Sequence, residues 1–146
     1  VTAAPHSHSI YGRTFPTLGK PLDPISQDAC AFYETQAMYK EFSGVVEEVN
    51  EGDEIAKALG DKKVIILQNH GILTTGPSVD IALWFYMSME RCCQAQLMAE
   101  AAGTPVVIPH ETAIKTRDFI ANDIAAWASY QPAYDMILKR EPDLLD

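Results

Sequence analysis

An α/β fold, with strands and helices alternating along the chain, is what these 146 residues predict. Three observations predict it. Residues 62–69, "KKVIILQN", hold a short, dense run of β-branched side chains, the pattern of a strand buried on both faces. Residues 77–103 form a long helical run that Ser78 can cap and Gly103 can stop. Residues 51–61 and 109–130 add helical stretches on either side of these. The composition, 47% hydrophobic and 21% charged, suits a soluble chain able to bury a sizeable core.

The other elements follow in order. Residues 1–8 are short and extended, because Pro5 disfavours helix at Ala4. Residues 9–18 predict a short helix with Ser9 as its cap, limited by Pro16 and Gly19. "GKPLDPIS" is a loop, since prolines and a glycine break any regular element. Ser26 opens a helix of one or two turns with Asp28 in its first turn. "GVVEEV" at 44–49 predicts a strand, and 51–61 a helix ended by Gly60. "ILTTG" after Gly71 is extended.

The helix at 77–103 begins with "IALWFYM", apolar on all sides, so burial against more than one layer or another subunit is expected. Residues 109–130 predict one amphipathic helix with Ile114, Phe119, Ile120, Ile124 and Trp127 on its core side. The tail "REPDLLD" is polar and expected to be mobile. The chain opens at Val1, in what reads as a strand already in progress. It is therefore expected to be one domain over 1–146, the C-terminal portion of a longer unit.

The net charge of −9 argues against nucleic acid, whose phosphates call for clustered Lys and Arg, and against an anionic membrane surface. Cys30, Cys92 and Cys93 are odd in number and contain no C-x-x-C, so neither a disulfide framework nor a zinc knuckle is suggested. Buried thiols in a reducing, cytoplasmic compartment are expected. No signal peptide or membrane span is visible.

The chain has four histidines, and three fall in two short stretches, "PHSHS" and "LQNHG". On an extended segment, residues two apart share a face, so His6 and His8 project together. Such a pair suits a divalent cation, for which neutral imidazole is a favoured ligand. His70 stands where the strand at 62–69 ends, the place where α/β sheets put ligand sites, and Gly71 lets the backbone turn or a ligand approach. Three ligands with one open position describe a catalytic site better than a structural one. These residues alone also admit the reading of solvated loop histidines. For His110 the simpler reading is a polar residue at a helix start.

"PHSHSIYGRTF", the loop "LGKPLDPIS" and above all "VIILQNHGILTTGPSVDIALWFYMSMERCCQAQLMA" resemble the class II aldolase/adducin family, which includes fuculose-phosphate aldolase, ribulose-phosphate epimerase, decarboxylases and the adducin head. The resemblance covers nearly the whole chain in the expected order. It implies a three-layer α/β/α sandwich lacking its N-terminal part. It implies that His6, His8 and His70 bind a divalent metal, most often zinc, since these positions match the family's metal-binding histidines. It also implies a homotetramer acting on a small-molecule substrate, with sites between subunits.

The chemistry implied is a zinc-dependent lyase that cleaves a small, sugar-phosphate-like hydroxy-carbonyl compound through a metal-stabilised enediolate. A decarboxylase or epimerase on the same scaffold, or a non-catalytic adducin-like interaction domain, are the alternatives. The family's aldolases place their acid/base glutamate before the H-x-H strand, so no catalytic residue is assigned within this chain. Glu34, Glu41, Glu47 and Glu48 read as solvated carboxylates. Gln27 stands near where some relatives carry a tyrosine, with Tyr33 six residues later, which weakens the sugar-phosphate reading. Tyr11 and Arg13 follow the pair on the next helix, in reach of substrate or of a neighbouring subunit, although ordinary packing and a surface ion pair explain them better. Asn69 suits either orientation of the site or strand-end turn chemistry.

Overall fold

The computed structural model describes residues 1–41 and 49–145. Among these, the strands are β1 (His6–Ser7), β2 (Gln36–Tyr39), β3 (Val64–Leu67) and β4 (Gly71–Thr74). They form one mixed sheet in the order β1-β4-β3-β2, with β2 parallel to β3 and the other pairings antiparallel. The helices are α1 (Ile10–Thr14), α2 (Gln27–Cys30), α3 (Val49–Leu59), α4 (Val79–Ala102), α5 (His110–Ile120) and α6 (Asp123–Arg140).

The central strand β3 shows why the sheet needs cover on both sides. All four of its residues are buried, and the pleat sends them alternately up and down. Val64 and Ile66 join Phe15, Phe85, Met89 and Cys93 under α1, α2, α4 and α6. Ile65 and Leu67 meet Ile55 and Leu59 of α3 on the opposite face. The result is the three-layer α/β/α arrangement that the sequence implied.

Several local expectations hold. Ser26 and Ser78 cap α2 and α4, their hydroxyls accepting from the backbone N–H of Ala29 and Ile81. Gly60, at φ +56°, follows α3 in the left-handed conformation that stops a helix. Cys30, Cys92 and Cys93 are buried and free. Burial raises the Cys92 thiol to about 12.

Other expectations are corrected. The strand predicted over 44–49 lies outside the described residues up to 48, and residue 49 begins α3. A strand not foreseen, β2, pairs along β3; its four residues are only half-buried, so "QAMY" carries no strong apolar signal. The short helix at 9–18 is α1 followed by a 3-10 turn, Phe15–Leu18, and Ser9 gives it no side-chain cap.

The single helix predicted over 109–130 is two. Asn122 interrupts it, its side chain accepting from Ala125 N–H at 2.9 Å to cap α6. The break shifts the helical phase for the residues that follow it. Ala113, Ile120 and Ala126 turn toward the core, while Phe119, Ile124 and Trp127 are 81%, 80% and 50% exposed. The second helix then runs through Pro132 to Arg140. The tail ends in a 3-10 turn, Pro142–Leu145.

In the apolar start of α4, Ile81, Ala82 and Phe85 are buried within the chain, and the helix as a whole packs against β4, α1, α2 and α6. Among the described residues no helix is long and apolar enough to cross a membrane.

Candidate metal centre

The edge strand β1 is brief, and its register pairs His6 with Leu73 and Ser7 with Ile72. Alternation along it places the rings of His6 and His8 on one side, 5.2 Å apart between centroids. His70 comes from the tight connection between β3 and β4, closed by a hydrogen bond from His70 N–H to Leu67 O at 3.0 Å. Asn69 sits in that connection at φ +59°, a left-handed conformation that asparagine tolerates. This is the strand-end turn chemistry expected as one reading of Asn69. Because β4 runs back beside β1, His70 lands next to the H-x-H pair, its ring 5.0 Å from that of His6 and 4.8 Å from that of His8.

The candidate ligand nitrogens of the three histidines all lie within 4.8 Å of one another. The Nε2 atoms of His8 and His70 are 2.8 Å apart. A tetrahedral zinc with Zn–N bonds of about 2.0–2.1 Å needs nitrogens roughly 3.3 Å from each other. The spacing here brackets that value, so the donor set fits a small divalent cation. His6 Nδ1 donates to the carbonyl of Ile72 at 2.9 Å, which leaves the lone pair on Nε2 as the one that can ligate a cation. Burial first, and then the neighbouring His6 and His8, push the pKa of His70 below its ordinary value. That favours the neutral, ligating form.

Gly71 has a different role from the one anticipated. Its φ is not left-handed, and what approaches it is the site itself. A Cβ there would stand 3.1 Å from His6 Cε1, 3.2 Å from Ser7 O and 3.7 Å from His8 Cδ2.

Two sets of residues escaped the sequence reading. Glu51, in the first turn of α3, acts electrostatically on His70 in the direction that raises its pKa. Behind β1, Ser7 and Ser9 reach Tyr86 and Glu90 of α4. No local spacing signals either set, because each contact joins distant parts of the chain.

The remaining candidates lie elsewhere. His110, the first residue of α5, has Nδ1 3.1 Å from Tyr33 Oη and 3.6 Å from a Glu34 carboxylate oxygen, outside the triad. Tyr11 packs on the core and accepts from Gln94 Nε2 at 3.0 Å. Arg13, Gln27 and Glu41 are exposed. Glu47 and Glu48 lie outside the described residues.

A mixed sheet between helical layers, with imidazoles converging beside its edge strand, defines the class: an α/β/α scaffold with a candidate metal-ligating triad. The chain belongs to the family described as the class II aldolase and adducin N-terminal domain, whose model matches residues 1–97. It is 41% identical over 144 residues to "Decarboxylase NovR" of Streptomyces niveus, covering 99% of this chain and 53% of that protein. It is 40% identical to a "4-hydroxy-3-prenylphenylpyruvate oxygenase/4-hydroxy-3-prenylbenzoate synthase" of Streptomyces roseochromogenus, covering 99% of this chain and 52% of that one. Among solved structures, an L-fuculose 1-phosphate aldolase from Glaciozyma antarctica superposes with a TM-score of 0.85 at 38% identity, over 96% of this chain and 53% of that one. The chain thus spans about half the length of the curated relatives it matches.

Proposed function

We propose that this chain supplies the metal-binding half of a zinc-dependent lyase that breaks a carbon–carbon bond in a small hydroxy-carbonyl compound. The convergence of His6, His8 and His70 within 4.8 Å carries this reading. When bound, the cation supplies positive charge where negative charge develops on the substrate's oxygens. The chain's own residues do the rest of what can be assigned. His6 presents Nε2 because the Ile72 carbonyl holds the proton on Nδ1. Burial lowers the His70 pKa and so favours its neutral form. Gly71 leaves room for the His6 and His8 rings to lie against β4.

Aldol cleavage and decarboxylation draw on the same charge stabilisation. Decarboxylation is the second reading, favoured by the printed name of the Streptomyces niveus relative. It also accommodates Gln27 near the position where some aldolases of the family use tyrosine. Family members are typically oligomers acting on small molecules, and a homotetramer in a reducing cytoplasm is the assembly and setting proposed here.

Elemental analysis of the purified protein tests the centre, with one zinc per chain expected. His70→Ala should abolish stoichiometric metal. A metal-free wild type, or an unchanged metal content in His70→Ala, would favour an adducin-like interaction module instead. Product analysis separates the chemistries: an aldehyde fragment for aldol cleavage, carbon dioxide for decarboxylation, an isomer of equal mass for epimerisation.

A further inference from the structure

The sequence His6-Ser7-His8-Ser9 alternates imidazoles with hydroxyls. The imidazoles face the metal centre. The hydroxyls face α4, where Tyr86 and Glu90 stand one helical turn apart on the same side. Ser7 Oγ lies 2.6 Å and Ser9 Oγ 2.9 Å from Tyr86 Oη. Ser9 Oγ donates to Glu90 Oε2 at 2.6 Å. The other oxygen of Glu90 accepts from Tyr11 N–H at 3.0 Å, in the first turn of α1. Tyr86 Oη also approaches the carbonyl of Ser7, at 3.2 Å. The proton of Ser9 is committed to Glu90, so the phenol donates to Ser9 or to the Ser7 carbonyl, and Ser7 Oγ donates to the phenol.

Gly12 makes this contact possible. A Cβ there would fall 2.6 Å from Glu90 Oε2, 2.6 Å from Ser9 Oγ and 3.1 Å from Ile72 Cδ1. Position 12 must be bare for α1 to close over the carboxylate.

β1 is two residues long and lies at the edge of the sheet, so the ladder alone does little to fix it. Hydrogen bonds to a carboxylate are short, strong and directional, and these act on the segment that carries both histidines. We propose that Glu90 and Tyr86 are positioning residues for the metal centre. They clamp the back of the H-x-H segment to α4 and so set where His6 and His8 present their nitrogens. This inference rests on the metal-binding reading above.

Cobalt(II) provides a test that does not depend on turnover. It is titrated into wild type, Glu90→Gln, Ser9→Ala, Tyr86→Phe and, as a control at the far end of α4, Glu100→Gln. Affinity is read by chelator competition and ligand geometry by the d–d absorption bands. Thermal midpoints of the metal-free proteins are measured alongside.

Glu90→Gln and Ser9→Ala are expected to weaken cobalt binding by about tenfold or more, the usual scale for partners of ligating residues, and to alter the bands. Tyr86→Phe should act in the same direction. Glu100→Gln should lower the thermal midpoint yet keep wild-type affinity and bands. Should Glu90→Gln fail to fold, Ser9→Ala and Tyr86→Phe carry the test. Failure of the wild type to bind cobalt would remove the metal centre and the clamp with it. Normal wild-type binding, together with unchanged affinity and bands in the clamp variants, would overturn the clamp alone. So would an equal loss in Glu100→Gln, since the effect would then be one of general stability.

Discussion

Gly71 ties the candidate metal centre to the sheet at the scale of one residue. Adding a methyl group there puts carbon 3.1 Å from the His6 ring and 3.2 Å from the Ser7 carbonyl, closer than ordinary packing. The Ser7 carbonyl belongs to the paired backbone, so the adjustment divides between a small shift of β1 and rotation of the imidazoles, and both move the histidines. Gly71→Ala is therefore expected to cost about 1–2 kcal/mol of metal-free stability, as modest overpacking does. Its effect on zinc affinity should be disproportionate, on the order of tenfold, measured by chelator competition. Unchanged affinity would show that the rings are not held by their contact with position 71. The histidines were readable in the sequence because their chemistry is uncommon and their spacing tight. The residues behind them were not. Ser9 and Glu90 are 81 positions apart, and only the packing of α1 on α4 brings them together.

At the scale of elements, α4 also fastens the loop that precedes α2. Gln96 is fully buried; its Oε1 accepts from Asp23 N–H at 2.9 Å, and its Nε2 donates to Asp23 Oδ2 and Glu100 Oε1, each at 2.7 Å. Lys20 completes the latch, 2.5 Å from Glu100 Oε1. The hydrogen bond from Lys20, and next that from Gln96, hold the Glu100 carboxyl below its ordinary value of 4.5. As pH falls the unfolded chain takes up the proton first. The contribution of Glu100 is thus complete above about pH 4.5 and is lost as pH drops through the lower folded value. Glu100→Gln should destabilise by about 1 kcal/mol at neutral pH, a modest figure because the pair is partly exposed. Urea unfolding at stepped pH should show that difference shrinking in acid; a difference constant across the range would contradict the assignment. Gln96→Leu should cost more, roughly 2 kcal/mol, because it removes the hydrogen bonds that the buried Gln96 amide makes to Asp23 and Glu100. The sequence exposed such elements unevenly. β3 was plain because its apolar run is continuous, whereas β2 took its identity from pairing with β3. The break between α5 and α6 was hidden because "FIANDIAAW" keeps a helical rhythm across Asn122. Reading through it carried the core face on to Ile124 and Trp127, where Ala126 actually sits, while Phe119, ahead of the break, faces outward from α5 itself.

That misassignment bears on the molecule as a whole. Phe119 and Ile124 flank the α5–α6 junction with 81% and 80% of their surface exposed, and Trp127 follows at 50%. Single exposed apolar residues are common on monomers, but three large ones around one junction are costly to leave in water. Each such side chain gains about 1.5–3 kcal/mol when fully buried. The proposed homotetramer would supply a cover for them, and apolar burial there would work against the repulsion that a net charge of −9 sets up between like chains. Phe119→Asp combined with Ile124→Asp adds two more negative charges to that junction. Both side chains are largely exposed and neither belongs to the buried core, so the variant should keep the fold and the wild-type circular dichroism. Analytical ultracentrifugation should then show wild type sedimenting as an oligomer and the double variant as a smaller species, with the shift reduced at high salt as the added charges are screened. Zinc content should stay at the wild-type level, because His6, His8 and His70 all come from one chain. An unaltered sedimentation coefficient would move the assembly surface away from the α5–α6 junction.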